Sequence, residues 1–268
     1  MPSVVKRWRR PGLFLLGGLL WVYGPTGHAG DSVTNTCRQH PAYCTLLNGQ
    51  EAGAAPTAQA GAKVASIAAT LRFLSPELKL RIERTLHECA AWADAEVNRQ
   101  RLGGNAPSRQ QCQEVLPTLD PCGQKVTRAM QWGSEKHALA TQCVQEQLDP
   151  LIPGRFSLEP RYRYDRPTGQ VQWLSPAEVR ALLRQDCGKE LKGTLVPDVV
   201  IHSGNPLQAV SIYDFKFPCP PDNHASWTKY TAGHTNHGLN QGDVYVEALK
   251  TEAALVTPRQ GVHQRIHP

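Results

Sequence analysis

Several features that would point to a familiar class are missing from this sequence. No two of its eight cysteines form a CxxC pair, so the usual grounds for a zinc ribbon or a thioredoxin-like redox site are absent. The apolar stretch from Pro11 to Gly24 is shorter than the ~20 residues that span a bilayer comfortably. No acid precedes Asp31, so four of the six net positive charges belong to Lys6, Arg7, Arg9 and Arg10, leaving +2 for the remainder. A body this close to neutral carries no net-charge signature of nucleic-acid binding, and a local basic patch matters more than the total.

What is present begins with the N-terminus. Those four cations precede the apolar stretch, and Gly27-His28-Ala29 has the small-residue character of a cleavage site. Residues 1–29 are therefore expected to be a cleaved secretory signal, with an uncleaved membrane-interacting leader as the alternative. Cys37, Cys44, Cys89, Cys112, Cys122, Cys143, Cys187 and Cys219 are even in number. Behind an export leader they are expected to form disulfides whose connectivity the spacing leaves open; buried free thiols in a reducing cytosol are the competing reading.

Residues 30–61 read as a linker, ending in a low-complexity Ala/Gly/Pro/Gln stretch from Glu51 to Gly61. Residues 62–129 read as a helical region for packing or chaperone docking. Within it Val64, Ile67, Ala68 and Leu71 keep helical spacing, and Ser75-Pro76 restarts a helix. Leu78, Ile82, Leu86, Cys89, Ala90 and Ala93 would form the buried face of that second helix, and Gly103-Gly104 would end it. Residues 105–133 look irregular, and a helix is expected from Ser134 to Leu148. Strands follow at Phe156 to Tyr164 and Gln170 to Leu174, then a helix opened by Ser175 and Glu178 and ended at Gly188. Two further apolar runs, a helix carrying Gln241, and a strand from Glu252 to Thr257 complete the pattern, with 258–268 as a tail. The fold class is α/β, a mixed sheet flanked by helices and preceded by a smaller α-helical region.

Chemistry concentrates between Leu195 and Leu249. Pro197-Asp198 and Tyr213-Asp214-Phe215-Lys216 bring an acid on each of two apolar runs, with a lysine two residues after the second acid. In a strand, Asp214 and Lys216 share one face and Phe215 takes the other. On a helix, Gln241 and Tyr245 lie one turn apart on a common face. Two carboxylates and an ammonium converging in this way suit a hard divalent cation and a water poised to attack phosphate.

Pro197-Asp198, Asp214-Phe215-Lys216 and Gln241-Gly242-Asp243-Val244-Tyr245, in that order, resemble the PD-(D/E)xK nuclease superfamily, whose fold is restriction-endonuclease-like. The Q-x-x-x-Y element resembles its RecB-like and lambda-exonuclease-like branch. The phrase Tyr213-Asp214-Phe215-Lys216-Phe217-Pro218-Cys219-Pro220 resembles the Tox-REase (Tox-REase-5-like) toxin domains of bacterial type VI secretion effectors, over residues 130–257. The leader departs from that pattern, since such effectors usually lack a cleaved signal.

The resemblance implies that Asp198, Asp214 and the backbone carbonyl of Phe215 hold Mg²⁺ or Mn²⁺. It implies that Lys216 orients or activates the attacking water, and that Gln241 and Tyr245 position nucleic acid or active-site loops. A glutamate from the first core helix often completes such sites; Glu135 is the candidate, with Glu146 second. The implied activity is DNA hydrolysis in a competitor cell. The implied partners are a DNA substrate, a cognate immunity protein, a loading chaperone and a secretion-spike (PAAR/VgrG-type) protein, with transient membrane contact through the leader. A housekeeping DNA-processing nuclease, and an exported disulfide-stapled binding protein with an inactive nuclease-like fold, are the alternatives.

Taken singly, each residue has a plainer reading. Asp198 could merely begin a strand, Lys216 could be an edge-strand lysine whose stem lies on apolar surface, Gln241 a helix-surface residue, and Tyr245 a core aromatic. Cys219, His224, His234 and His237 fall close together and could be read as a zinc site. The favoured reading is a substrate loop in which Trp227, Lys229 and Tyr230 meet the nucleic acid.

Overall fold

Val199-Val200-Ile201 is apolar without a break, as expected of a strand covered on both faces. In the computed structural model, which describes residues 74–120 and 122–264, this run is a central strand of a five-stranded mixed sheet. The leader, the linker and the helical pattern at Val64 to Leu71 lie outside the described residues.

In chain order the elements are helix α1 (Pro76–Leu102), short helix α2 (Arg109–Gln113), strands β1 (Val115–Leu119) and β2 (Lys125–Thr127), and helix α3 (Arg128–Leu148). Strands β3 (Phe156–Leu158), β4 (Arg161–Asp165) and β5 (Gln170–Leu174) follow, then helix α4 (Pro176–Arg184) and a 3₁₀ segment, Asp186–Leu191. The chain continues through β6 (Val199–His202), β7 (Ala209–Phe215), helix α5 (Gln241–Leu249), β8 (Ala253–Thr257) and β9 (Gly261–Gln264). The sheet order is β3-β6-β7-β8-β9. Its pairs are antiparallel except β7 with β8, which run parallel because α5 carries the chain back across the sheet.

Alternation along each strand divides the core in two. Val199, Ile201, Tyr213, Phe215, Ala254 and Val256 face α1 and α3, meeting Ile82, Leu86, Ala140, Val144 and Leu148. Val200, Ile212 and Ala253 face the other way, against Val244, Tyr245, Ala248 and Leu249 of α5 and Tyr162 of β4. The result is a mixed α/β architecture of helix layer, sheet, and a second layer of α5 with the β4–β5 hairpin. Helix α1 packs in one core with α3 and the sheet.

Several expectations need correction. The strand expected from Phe156 to Tyr164 breaks at Glu159, which adopts a φ of 47°, and at Pro160; its second half pairs with β5 in a separate hairpin. The stretch expected to be irregular contains the β1–β2 ribbon and the first turns of α3, whose N-cap is Thr127 rather than Ser134. Helix α4 stops at Arg184 and gives way to the 3₁₀ segment before Gly188. Part of the expected tail is edge strand β9.

Three disulfides hold these layers. Cys89–Cys143 joins α1 to α3, Cys112–Cys219 joins α2 to the loop after β7, and Cys122–Cys187 joins the β1–β2 turn to the 3₁₀ segment. Bridges of this kind are compatible with a secreted protein. Cys37 and Cys44 lie outside the described residues. Among those residues no helix is long and apolar enough to cross a membrane.

Candidate active site

β6 and β7 are antiparallel, so the start of one lies beside the end of the other. Asp198 therefore sits next to the end of β7, immediately before its own strand begins. Its backbone carbonyl accepts the Glu159 N–H at 2.9 Å, and its carboxylate Oδ2 accepts the Phe215 N–H at 2.6 Å. The side chain thus takes over the ladder where β6 backbone runs out.

Asp214 and Lys216 share a face of the chain, as alternation requires, and Phe215 enters the opposite core. Asp214 is buried and stands at the centre of a hydrogen-bond network. The Lys216 ammonium pairs with Asp214 Oδ2 and donates to Gln241 Oε1 at 2.9 Å. Gln241 Nε2 donates to the Tyr245 hydroxyl oxygen at 2.7 Å and to Asp214 Oδ1 at 3.3 Å, and the Tyr245 O–H donates to the same Oδ1 at 3.3 Å. Helix α5 makes this possible because Asn240 and Asp243 form a capping box that fixes its start and places Gln241 in its first turn. A salt bridge from Arg166 to Glu247 at 2.9 Å, with Tyr164 donating to the same carboxylate, ties the helix to the β4–β5 hairpin.

Asp198, Asp214, Lys216, Gln241 and Tyr245 are thus brought together. Glu135 is not: it forms a two-pronged ion pair with Arg101 on α1, which occupies both its oxygens. Glu146 accepts from Gln142 on the exposed side of α3. The first core helix instead contributes His137, whose Nδ1 lies 3.3 Å from Asp198 Oδ1 and whose ring meets Phe215 and Phe217 edge-on. Sequence reasoning passed over it. The available signal was its position three residues before Ala140 and seven before Val144, a partly buried polar residue in line with the buried stripe of α3.

The loop between β7 and α5 folds back on the site. Gln241 N–H donates to Thr228 C=O at 2.8 Å and Tyr230 N–H to Leu239 C=O at 3.0 Å, so Trp227 is brought over the start of α5. The Trp227 ring lies edge-on to Tyr245, with Lys216 Nζ 5.9 Å from its centre. It also lies so close to Gly242 that a Cβ there would stand 2.6 Å from the indole. A zinc reading of this loop does not survive: Cys219 is disulfide-bonded, His234 stacks on Tyr230, and His234 Nδ1 accepts the Asn236 N–H at 3.0 Å.

Electrostatics single out Asp214. Burial first, and then the negative charge of Asp198, push its carboxyl up to about 6, against the opposing pull of Lys216 and His137. For His137 burial favours the neutral ring, but the Asp198 charge and hydrogen bond, with smaller help from Asp214 and Glu159, leave its pKa raised. Burial, reinforced by the charge of Asp214, holds the Tyr245 phenol well above its usual range, so it stays a donor.

Asp214, buried beside a second carboxylate, is therefore short of compensating positive charge even with Lys216 and His137 nearby. This deficit, and a donor set of hard oxygens, fit Mg²⁺ or Mn²⁺ at Asp198 and Asp214. Among the described residues no group of three or more His, Cys, Asp or Glu is drawn together as a metal centre, so the two carboxylates would rely on backbone and water oxygens to complete a shell. No family model, curated protein or solved structure matches this chain.

Proposed function

We propose that this protein is a metal-dependent nuclease of the PD-(D/E)xK type that hydrolyses DNA phosphodiester bonds. The observation that carries this reading is the network in which Asp214, Lys216, Gln241 and Tyr245 converge beside Asp198 at one end of the sheet. Asp198, Asp214 and the Phe215 carbonyl would hold Mg²⁺ or Mn²⁺. When bound, the ion supplies Lewis-acid polarisation of a phosphoryl oxygen and neutralises negative charge.

The chain's own residues do the rest. Lys216, fixed by Gln241 and Asp214, presents ammonium protons to the attacking water and to the oxygens on which charge builds as the water oxygen bonds to phosphorus and the ester oxygen leaves. The neutral Tyr245 hydroxyl and the Gln241 amide keep Asp214 Oδ1 fixed, leaving its remaining lone pairs for a cation. Trp227, Lys229 and Tyr230 on the overlying loop would meet the substrate strand.

The same reading makes the protein an antibacterial toxin, delivered as a type VI secretion effector and acting in a target cell. An immunity protein would restrain it in its producer, and a loading chaperone and a secretion-spike protein would handle its export. Disulfides across three pairs of elements suit a protein that folds outside a reducing cytosol. The test is incubation of the purified protein with DNA and RNA in Mg²⁺ or Mn²⁺, paired with induced expression in the cytoplasm and the periplasm. Metal-dependent DNA breakage with growth arrest is expected. Intact DNA would reject the enzyme, and harmless expression in both compartments would reject the toxin.

A further inference from the structure

The loop between β7 and α5 carries a second organised feature, a stack of two rings. Tyr230 and His234 lie nearly parallel, with 4.3 Å between ring centres and 15° between planes. Tyr230 packs against the same core as Val244 and Tyr245 of α5. Its N–H bonds to Leu239 and Lys229 bridges to Asn240, so a short ladder ties it to the residue before Gln241. Burial, and after it the charge of Asp214, raises the Tyr230 phenol, which therefore stands within electrostatic reach of that carboxylate. The stack is thus on the Asp214–Lys216 face of the sheet.

His234 forms its outer layer. The ring Nδ1 accepts the Asn236 N–H at 3.0 Å, and the His234 N–H donates to Thr231 C=O at 3.2 Å, so the ring is oriented in advance. Asn236 is buried, which makes this turn a packed one. The imidazole covers Tyr230 and stays partly exposed, so a further planar group can continue the stack outwards.

Charge decides which planar group that is. Duplex recognition rests chiefly on phosphate contacts from many lysines and arginines. From Phe217 to Asn240 the loop has one cation of that kind, Lys229, and one acid, Asp222. The turn against it, where Gly193 stands beside Thr235, adds the exposed Lys192. Little charge and a preset ring suit a single strand, whose base faces are free, better than a duplex, whose base faces are covered by their neighbours. The Asp214 side chain is only 3% exposed and that of Lys216 21%, so a phosphate reaches them through a narrow opening that a splayed strand enters more easily.

We propose that the Tyr230–His234 stack is a platform for one base of the strand being cut, and that the enzyme prefers single-stranded DNA, cutting duplex more slowly. The proposal rests on the nuclease reading for its link to cleavage; the stacking is measured without it. In EDTA, the full chain is titrated with a single strand of about twelve nucleotides carrying 2-aminopurine, and with the duplex it forms with its complement. The single strand is expected to bind about tenfold more tightly, within the range for one stacked base, and its 2-aminopurine fluorescence to be quenched. His234→Ala is expected to abolish the quenching and reduce the preference to about twofold or less, whereas His234→Phe, which keeps a ring face, retains both. Circular dichroism confirms that each variant is folded. In Mg²⁺ the single strand is expected to be cut about tenfold faster than the duplex. Duplex bound or cut as well as the single strand, quenching that survives His234→Ala, or loss of preference in His234→Phe would each overturn the platform while leaving the nuclease reading standing. Quenching that depends on His234, without cleavage of either substrate, would uphold the platform and reject the nuclease.

Discussion

At the scale of single residues, Asp214 holds a conflict that the site needs and the fold does not. Its carboxyl is raised from 3.8 to about 6, so in the metal-free protein its charge is opposed above that pH. A folded-state pKa above the unfolded value means stability is greatest below about 4 and is lost as pH rises through about 6. Asp214→Asn should therefore be more stable than the wild type in EDTA at pH 8. Urea melts should show the gap closing towards pH 4. His202 works in the opposite sense: burial lowers it to about 4, and the neutral ring accepts the Gly204 N–H and meets Ser157 at 2.9 Å. Its contribution is complete above its ordinary value near 6.5 and falls away towards 4, so His202→Gln should flatten the acid side of the stability profile. His137→Ala should weaken cleavage about 10- to 100-fold and raise the Mg²⁺ concentration required, because Asp198 loses the partner that orients its carboxylate. The acids, the lysine and the Q-x-x-x-Y pair were legible as residue types in order. His137 was not, because a histidine in line with an apolar stripe is indistinguishable in sequence from an ordinary packing residue.

At the scale of elements, a helix carrying Gln241 was legible, and the Asn240–Asp243 capping box sets where it starts. The expected start of α3, Ser134, falls inside the helix, because packing against α1 carries the helix through Gly133 despite its low propensity. The break between β3 and β4 combines a positive φ at Glu159 with Pro160, and only the proline announces it locally. Strand β9 exists only because β8 offers it an edge. The close approach of Trp227 to Gly242 is likewise tertiary, and it gives a clean probe of the overlying loop. Gly242→Ala should leave the helix intact, or favour it by up to ~1 kcal/mol, since alanine has the higher propensity. It should also displace Trp227, seen as a shift in tryptophan fluorescence, and lower cleavage with unchanged far-UV circular dichroism.

For the whole molecule, alternation explains why the layers could be read before their order: each strand's two faces announce two cores, while sheet order and disulfide pairing depend on long-range contacts. The bridges act at this scale. Cys89–Cys143 and Cys122–Cys187 close loops of 54 and 65 residues, so reducing agent should cost about 2–4 kcal/mol per bridge in urea melts. The central claim, however, is chemical. Plasmid DNA incubated with wild type, Asp214→Asn and Lys216→Ala, with Mg²⁺ or EDTA, tests it most directly, with circular dichroism confirming that each variant is folded. The account predicts Mg²⁺-dependent breakage by the wild type, protection in EDTA, and losses of about 10²-fold or more in both variants. An inert wild type, or breakage that persists undiminished without Asp214 or Lys216, would contradict it.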